Sequence, residues 1–246
     1  MVKKMTQVFI GTSGWTYNHW KGVFYPETLP QSEWFKFYSE RFRTVEINAT
    51  FYRLMPETIF KGWANKAPVN FCFAVKMWRM ITHRKYLKDC ESQVKDFINR
   101  CKLLEKYLGP ILIQLPPNLK INLDLLEQFI SILPRPFDYT IEFRNKEWMC
   151  DDVYNLLKKN KISFCIYDHP DIPCPKIITA DPVYIRFHGR ESRYAGKYTK
   201  DDIKEWGDFI KDCLNNSFRV YTYFNNDYRG YAIENAIELM EYLNKK

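Results

Sequence analysis

The residues best suited to chemistry alternate with apolar ones in short β-rich runs. In Thr44-Val45-Glu46-Ile47-Asn48, Val45 and Ile47 share one face, and Glu46 and Asn48 share the other. The same alternation sets Phe73 and Val75 against Lys76, and Ile113 against Gln114. It sets Ile141 and Phe143 against Glu142 and Arg144, and Ile185 and Phe187 against Arg186 and His188. Asp168 directly follows a further run, and Asn225-Asn226 follow the last. A Lys or Arg beside a carboxylate keeps it ionised and suited to act as a base. On this pattern Glu46 and Glu142 are the acid/base pair, with His188 and Lys76 as further catalytic candidates. Lys76 at a strand end could form a Schiff base or an ion pair.

Such groups need elements that bring them to one place. Eight runs read as strands: Val8–Thr12, Thr44–Ile47, Phe71–Val75, Ile111–Gln114, Tyr139–Phe143, Ser163–Tyr167, Val183–Phe187 and Val220–Phe224. Helical patterns separate them. Cys90, Val94, Phe97, Ile98, Cys101, Leu104 and Leu108 form one stripe, closed by Gly109-Pro110. Pro56 opens a helix with Ile59, Phe60 and Trp63 on it, and Asn122 caps Leu123–Leu133. Thr199 and Asp202 form a capping box ahead of Ile203, Trp206, Ile210 and Cys213. Gly230 to Leu243 is the last helix, with Ala232, Ala236, Ile237 and Met240 inward. Between Asp168 and Val183 lie Pro170, Pro173, Pro175 and Pro182 and no helical period, so the sixth crossover is a loop.

Strands alternating with helices imply a parallel sheet, and eight repeats imply a single (β/α)8 TIM-like barrel over residues 1–246. A doubly wound open sheet is the alternative. In a barrel one strand face packs on helices and the other points to the axis. The polar residues then converge at the carboxyl ends of the strands, the catalytic face of this fold. They form either a ligand site or a salt-bridge network that plugs the barrel, for example Glu46–Arg144 or Glu142–Arg186.

The 246 residues match the roughly 250 of one such barrel. Hydrophobic residues are 46% and charged residues 27%, which excludes wholesale disorder, collagen and coiled coil. No apolar run nears the roughly 18 residues that cross a membrane, and the apolar stretch after the basic start is too short for a secretory signal. The seven cysteines are odd in number and lack C-x-x-C, as expected of reduced thiols in a cytoplasmic protein, with a catalytic thiol as the alternative. Net charge is +8, part of it on Lys3, Lys4, Lys245 and Lys246, and favours an acidic partner. Nothing in the sequence sets an oligomeric state.

The loop Gly11-Thr12-Ser13-Gly14-Trp15 either lets backbone N–H groups approach a ligand or makes a tight turn. Two loops are basic. Lys76–Lys88 holds five Lys/Arg and no acid, and Arg186–Tyr198 holds four Lys/Arg against Glu191. Both interleave aromatics, which suits a phosphate-bearing chain, where charge tracks the backbone and rings stack on bases. The plainer reading is two solvated loops. No cofactor motif is present, although Glu46, Glu142, Asp168 and His188 could hold Mg or Mn.

The motifs resemble the DUF72, or YecE-like, family. They are Gly11–Tyr17, Trp20-Lys21-Gly22, Phe24-Tyr25-Pro26, Val45–Arg53, Phe73-Ala74-Val75-Lys76 and Ile81-Thr82-His83. Leu115-Pro116-Pro117, Glu142-Phe143-Arg144, Arg186-Phe187-His188-Gly189 and Phe224-Asn225-Asn226-Asp227 complete them, in order over nearly the whole chain. Ala49 departs from the usual serine, and Asn145-Lys146-Glu147-Trp148 from a stretch where histidine is commoner. Neither touches the charged core of the motif. The resemblance implies a TIM-like barrel and no particular activity.

Three functions fit these residues. In the first, an enzyme acts on a nucleotide, sugar phosphate or nucleic-acid end. Arg53, Lys76, Arg144, Arg186 and His188 bind the anion, and Glu46 or Glu142 moves a proton. Trp15, Tyr17 and Tyr52 cover the substrate, with Asn48, Gln114, Asp168, Asn225 and Asn226 lining the site. In the second, a nucleic acid binds without chemistry through Arg79, Arg84, Lys85, Arg190 and Arg193. In the third, Glu46 and Glu142 flank a sugar as paired carboxylates.

Overall fold

The computed structural model describes residues 7–191 and 195–245, so Lys3, Lys4, Arg193 and Lys246 lie outside the described residues. The strands are β1 (Val8–Thr12), β2 (Thr44–Ile47), β3 (Cys72–Lys76), β4 (Leu108–Gln114), β5 (Tyr139–Glu142), β6 (Ser163–Asp168), β7 (Val183–Phe187) and β8 (Val220–Phe224). The helices are α1 (Trp34–Ser39), α2 (Ala49–Tyr52), α3 (Glu57–Lys66), α4 (Glu91–Cys101), α5 (Leu123–Ser131), α6 (Asp151–Lys159), α7 (Lys200–Asn215) and α8 (Tyr231–Asn244). Strand order is β1-β8-β7-β6-β5-β4-β3-β2, the parallel (β/α)8 order of a TIM-like fold. As the four prolines dictate, no helix is described between β6 and β7.

The chain forms two compact units. The first is Met1–Glu46, Ile166–Cys174 and Pro182–Lys246, and the second is Ile47–Cys165 and Pro175–Asp181.

In the first unit, β8 pairs with β1 and β7 in parallel ladders. A side chain links β1 to β2. The buried Tyr38 hydroxyl accepts from the Thr12 N–H at 3.0 Å and donates to the Thr44 carbonyl at 3.0 Å. The approach needs Gly11, because a Cβ there would lie 2.3 Å from the Thr44 carbonyl oxygen. The Thr199–Asp202 capping box opens α7, and Ile203, Trp206, Ile210 and Cys213 are buried as expected. On α8, Ala232 and Ala236 are buried, whereas Ile237 and Met240 are only half-buried.

In the second unit, β4 pairs with β3 and β5, and β5 with β6. Here the expected long helix is corrected. α4 stops at Cys101, and a 3-10 segment follows over Lys102–Tyr107, with Glu105 at φ 52°. Gly109-Pro110 lies inside β4 rather than after a helix. Phe73 pairs with Leu108 and Val75 with Ile111, so three residues of β4 span two of β3. Such a bulge tolerates proline's missing N–H. A Cβ at Gly109 would stand 2.4 Å from Cys72 Sγ, so the close approach requires glycine. Asn122 caps α5, accepting the Leu125 N–H at 2.9 Å. On α3 Phe60 is buried, but Ile59 is exposed, because it sits about 100° round the helix from Phe60.

All seven cysteines are free, and five are buried. Burial pushes the Cys90 and Cys213 thiols up to about 11, which leaves them as small hydrophobes rather than nucleophiles.

Candidate functional site

Each unit carries a polar cluster at the carboxyl ends of its strands. In the first, Glu46 is wholly buried. Its Oε1 accepts from Ser13 Oγ at 2.8 Å and from Arg186 Nη2 at 2.6 Å, and its Oε2 from the Tyr184 hydroxyl at 2.7 Å. Three donors, one of them an arginine, fix this carboxylate in one place. Burial, with Glu46 adding to it, holds the Tyr184 phenol well above its ordinary range.

Arg186 Nη1 lies 3.5 Å from His188 Nε2. Arginine only donates, so in this contact Nε2 takes the acceptor role. Nδ1 lies 3.3 Å from Asn225 Nδ2.

The other residues expected in this unit have more local tasks. Asp168 accepts from Trp206 Nε1 at 3.3 Å and lies 3.5 Å from Arg190 Nε. Burial raises its pKa despite Arg190. Arg190 also binds Asp202 at 2.5 Å. Asn226 donates to the Gly196 carbonyl and to Asn235 Oδ1, both at 3.0 Å, tying its loop to α8. Thr12 Oγ1 donates to the Gly14 carbonyl at 2.7 Å, and Tyr17 donates to the Ser13 carbonyl at 2.5 Å, which ties down the loop that leaves β1. Trp15 is half-buried, its ring 5.4 Å from Phe35. Asp227 lies 2.8 Å from His19 Nε2 and accepts from Trp20 Nε1 at 2.6 Å, and burial pushes it up to about 6.

The second unit holds a chain of four buried side chains. Lys76 Nζ donates to Gln114 Oε1 at 2.9 Å, and Gln114 Nε2 donates to Glu142 Oε2 at 3.1 Å. Arg144 Nε pairs with Glu142 Oε1. The ion pairs are therefore Glu46–Arg186 and Glu142–Arg144, with partners exchanged relative to expectation. Strand alternation places Glu142 and Arg144 on one face, two residues apart.

Phe51 lies beside this chain. Lys76 Nζ stands 4.2 Å from its ring centroid, and the His83 ring meets it edge-on at 4.9 Å. His83 belongs to a π turn, Met80–Arg84, that leaves β3, and π turns recur at functional sites. Its Nδ1 is 2.8 Å from the buried Thr82 hydroxyl. Burial first, then Lys76 and Arg79, lower its pKa to about 4, with Glu142 opposing. The ring is thus neutral at pH 7. Protonation penalises the folded state, so stability is present above the ordinary value of 6.5 and lost as pH falls through about 4.

Arg79 is half-buried, with its guanidinium 5.7 Å from the ring of Tyr52, which is 63% exposed. Among the described residues no carboxylate lies within ion-pair distance of Arg79. Arg53 is exposed and reaches Met55 Sδ at 3.2 Å. Asn48 Oδ1 is buried with no hydrogen-bond partner among the described residues. Lys85 turns to the Asp89 carbonyl at 2.6 Å.

His83 and Arg79 stand beside this chain, whereas the sequence offers Arg79 only as a nucleic-acid contact and His83 only as part of the basic loop and of the motif Ile81-Thr82-His83. The available signal is their position straight after β3. Among the described residues no group of three or more His, Cys, Asp or Glu side chains that could hold a metal ion is found, and Glu46 and Glu142 are each paired with an arginine.

A sequence model described as "Protein of unknown function DUF72" matches residues 9–246. UPF0759 protein YunF of Bacillus subtilis (strain 168) is 25% identical over 270 residues, covering 96% of this chain and 94% of YunF. UPF0759 protein YecE of Escherichia coli (strain K12) is 27% identical over 144 residues, covering 57% of this chain and 50% of YecE. The fold is similar to that of a DUF72 family protein from Thermotoga maritima, with a TM-score of 0.89, 30% identity, and coverage of 97% and 100% of the two chains. A DUF72 family protein from Enterococcus faecalis shares the fold at 20% identity and a TM-score of 0.84, covering 97% of this chain and 96% of its own. Among the described residues no helix is long and apolar enough to cross a membrane.

Proposed function

The chain belongs to the DUF72 family, and we propose that it is an enzyme of the hydrolase or lyase class that acts on a phosphate-bearing substrate at the carboxyl ends of β3–β5. The observation that carries this reading is Arg79. It is a half-buried guanidinium with no carboxylate beside it among the described residues, next to Lys76 and above an exposed tyrosine face. Arginine offers phosphate a planar fork of donors, and lysine adds a point charge. Tyr52 gives a nucleoside or sugar a flat surface.

Glu142 is wholly buried, so its part is to hold Lys76 in place through Gln114. Glu46 does the same for Arg186 in the other unit. Carboxylates already bound to arginine favour these positioning roles over the paired attack of a glycosidase. Arg79 over Tyr52 also suits a nucleotide chain bound without chemistry, but in that reading Arg190 is already taken by Asp168 and Asp202. Seven free thiols support placing the activity in the cytoplasm.

Charge-assisted hydrogen bonds contribute about 1.5–3 kcal/mol, so Arg79→Ala should weaken binding of a nucleoside monophosphate by about 10–100-fold. Calorimetry on the parent and variant reads this directly. Equal affinity in both, or no binding by any phosphate ester, would overturn the reading. An enzyme should also turn over at least one ester of such a panel. Tight, strongly salt-dependent oligonucleotide binding without turnover would favour the nucleic-acid alternative.

A further inference from the structure

We propose that His83 is a ligand-gated acid that takes up a proton at Nε2 when a phosphate group docks against Lys76 and Arg79. This rests on the anion seat proposed above and assigns the proton that the seat would deliver.

The ring is fixed on two sides, by the Thr82 hydroxyl at Nδ1 and by the edge of Phe51. Among the described residues Nε2 has no hydrogen-bond partner, so Nε2 is the nitrogen left to meet a ligand. The charges that face it are Lys76 from β3, Arg79 at the head of its own turn, and Glu142 from β5. Phe51, from α2, brings none. On the same turn Arg84 is exposed and Lys85 is turned to the Asp89 carbonyl. The one facing carboxylate is already bound by Arg144 and Gln114. Burial, reinforced by the two facing cations, therefore keeps the ring deprotonated, and an anion acts on the cationic part of that balance.

A phosphate monoester carries close to two negative charges near neutrality. Docked between Lys76, Arg79 and Nε2, it reverses the sign of the local field and favours the imidazolium. The step balances simply. A monoanionic ester, ROPO3H⁻, passes its proton to the neutral ring, giving ROPO3²⁻ and an imidazolium, with a total charge of −1 before and after. When a dianion binds, the ring takes its proton from the acid form of the buffer, which is left as its conjugate base. Either way the proton then sits on Nε2, within reach of the ester oxygens.

Sulfate is the clean probe, because it carries no proton of its own near neutrality. Calorimetry of sulfate binding at pH 6, in two buffers of different ionisation heat, should show close to one proton taken up per sulfate bound. His83→Gln should bind sulfate with that uptake lost. In the parent protein, the NMR titration midpoint of the His83 ring should rise from about 4 to near neutrality on saturation with sulfate. Arg79→Ala should raise the same midpoint without any anion, because one repelling cation is gone. Sulfate binding with no proton uptake, or with uptake that survives in His83→Gln, would overturn the role of His83 and leave the anion seat standing. A failure of sulfate and of phosphate esters to bind would remove both. The midpoint measurement needs no variant, so a His83→Gln chain that does not fold leaves the test intact.

Discussion

Glu46→Ala should destabilise the folded chain by about 3–5 kcal/mol, the usual loss when one partner leaves a buried ion pair. Arg186 is 1% exposed and would keep its charge with the carboxylate gone. The Ser13 and Tyr184 hydroxyls would lose their acceptor at the same moment. For a chain of this size each kcal/mol moves the melting midpoint by about 2–4 °C, so a fall of roughly 6–20 °C is expected. Glu46→Gln keeps the shape and loses the charge, and should fall between. Replacing both partners, Glu46→Leu with Arg186→Met, should recover most of the loss, because no buried charge is then left alone. Denaturant unfolding of the four chains measures this. A single variant within about 0.5 kcal/mol of the parent, the range of an ordinary surface change, would contradict a buried pair.

Tyr38→Phe removes one oxygen atom and should cost about 2–6 kcal/mol, because it strands two buried backbone groups at about 1–3 kcal/mol each. The Thr12 N–H and the Thr44 carbonyl both rely on that hydroxyl, and Thr12 Oγ1 lies 3.0 Å from it as well. A methyl carbon at Gly11 would stand 2.3 Å from the Thr44 oxygen and 3.0 Å from the tyrosine oxygen. Gly11→Ala should therefore damage the same contact between β1 and β2 by overpacking. Hydrogen exchange at Thr12 and Thr44 would show faster opening in both variants. A Tyr38→Phe chain as stable as the parent would show that the hydroxyl bridge does not hold these strands.

Strand period makes much of this legible in the sequence. β1, β2, β7 and β8 fall on the residues expected, because runs of β-branched and aromatic residues there meet clear breaks. The same period puts Glu46, Lys76, Gln114, Glu142, Arg144, Arg186 and His188 on the face away from the helices, and all seven are buried. The period gives a face but not a partner. Glu46 meets Arg186 because β2 and β7 bring them to one level, and no sequence spacing records that. At the strand ends the period stops. Asp168, the last residue of β6 rather than the first after it, turns to Trp206, and Asn226, in the loop after β8, turns to Asn235. Gly109-Pro110 is a breaker that ends a helix or makes a bulge, and only the β3–β4 register separates the two. His83 sits on a π turn, which has neither the helical nor the strand repeat, so periodicity does not place it, and only the motif Ile81-Thr82-His83 includes it.

The most direct measurement is an NMR titration of the parent protein with inorganic phosphate, following backbone amides and arginine Nε–H signals. Saturating shifts should concentrate on Lys76, Arg79, Thr82 and His83, with Arg186 and His188 nearly unmoved. Saturating shifts centred on Arg186 and His188, or shifts that grow with ionic strength and never saturate, would contradict an anion seat at the ends of β3–β5.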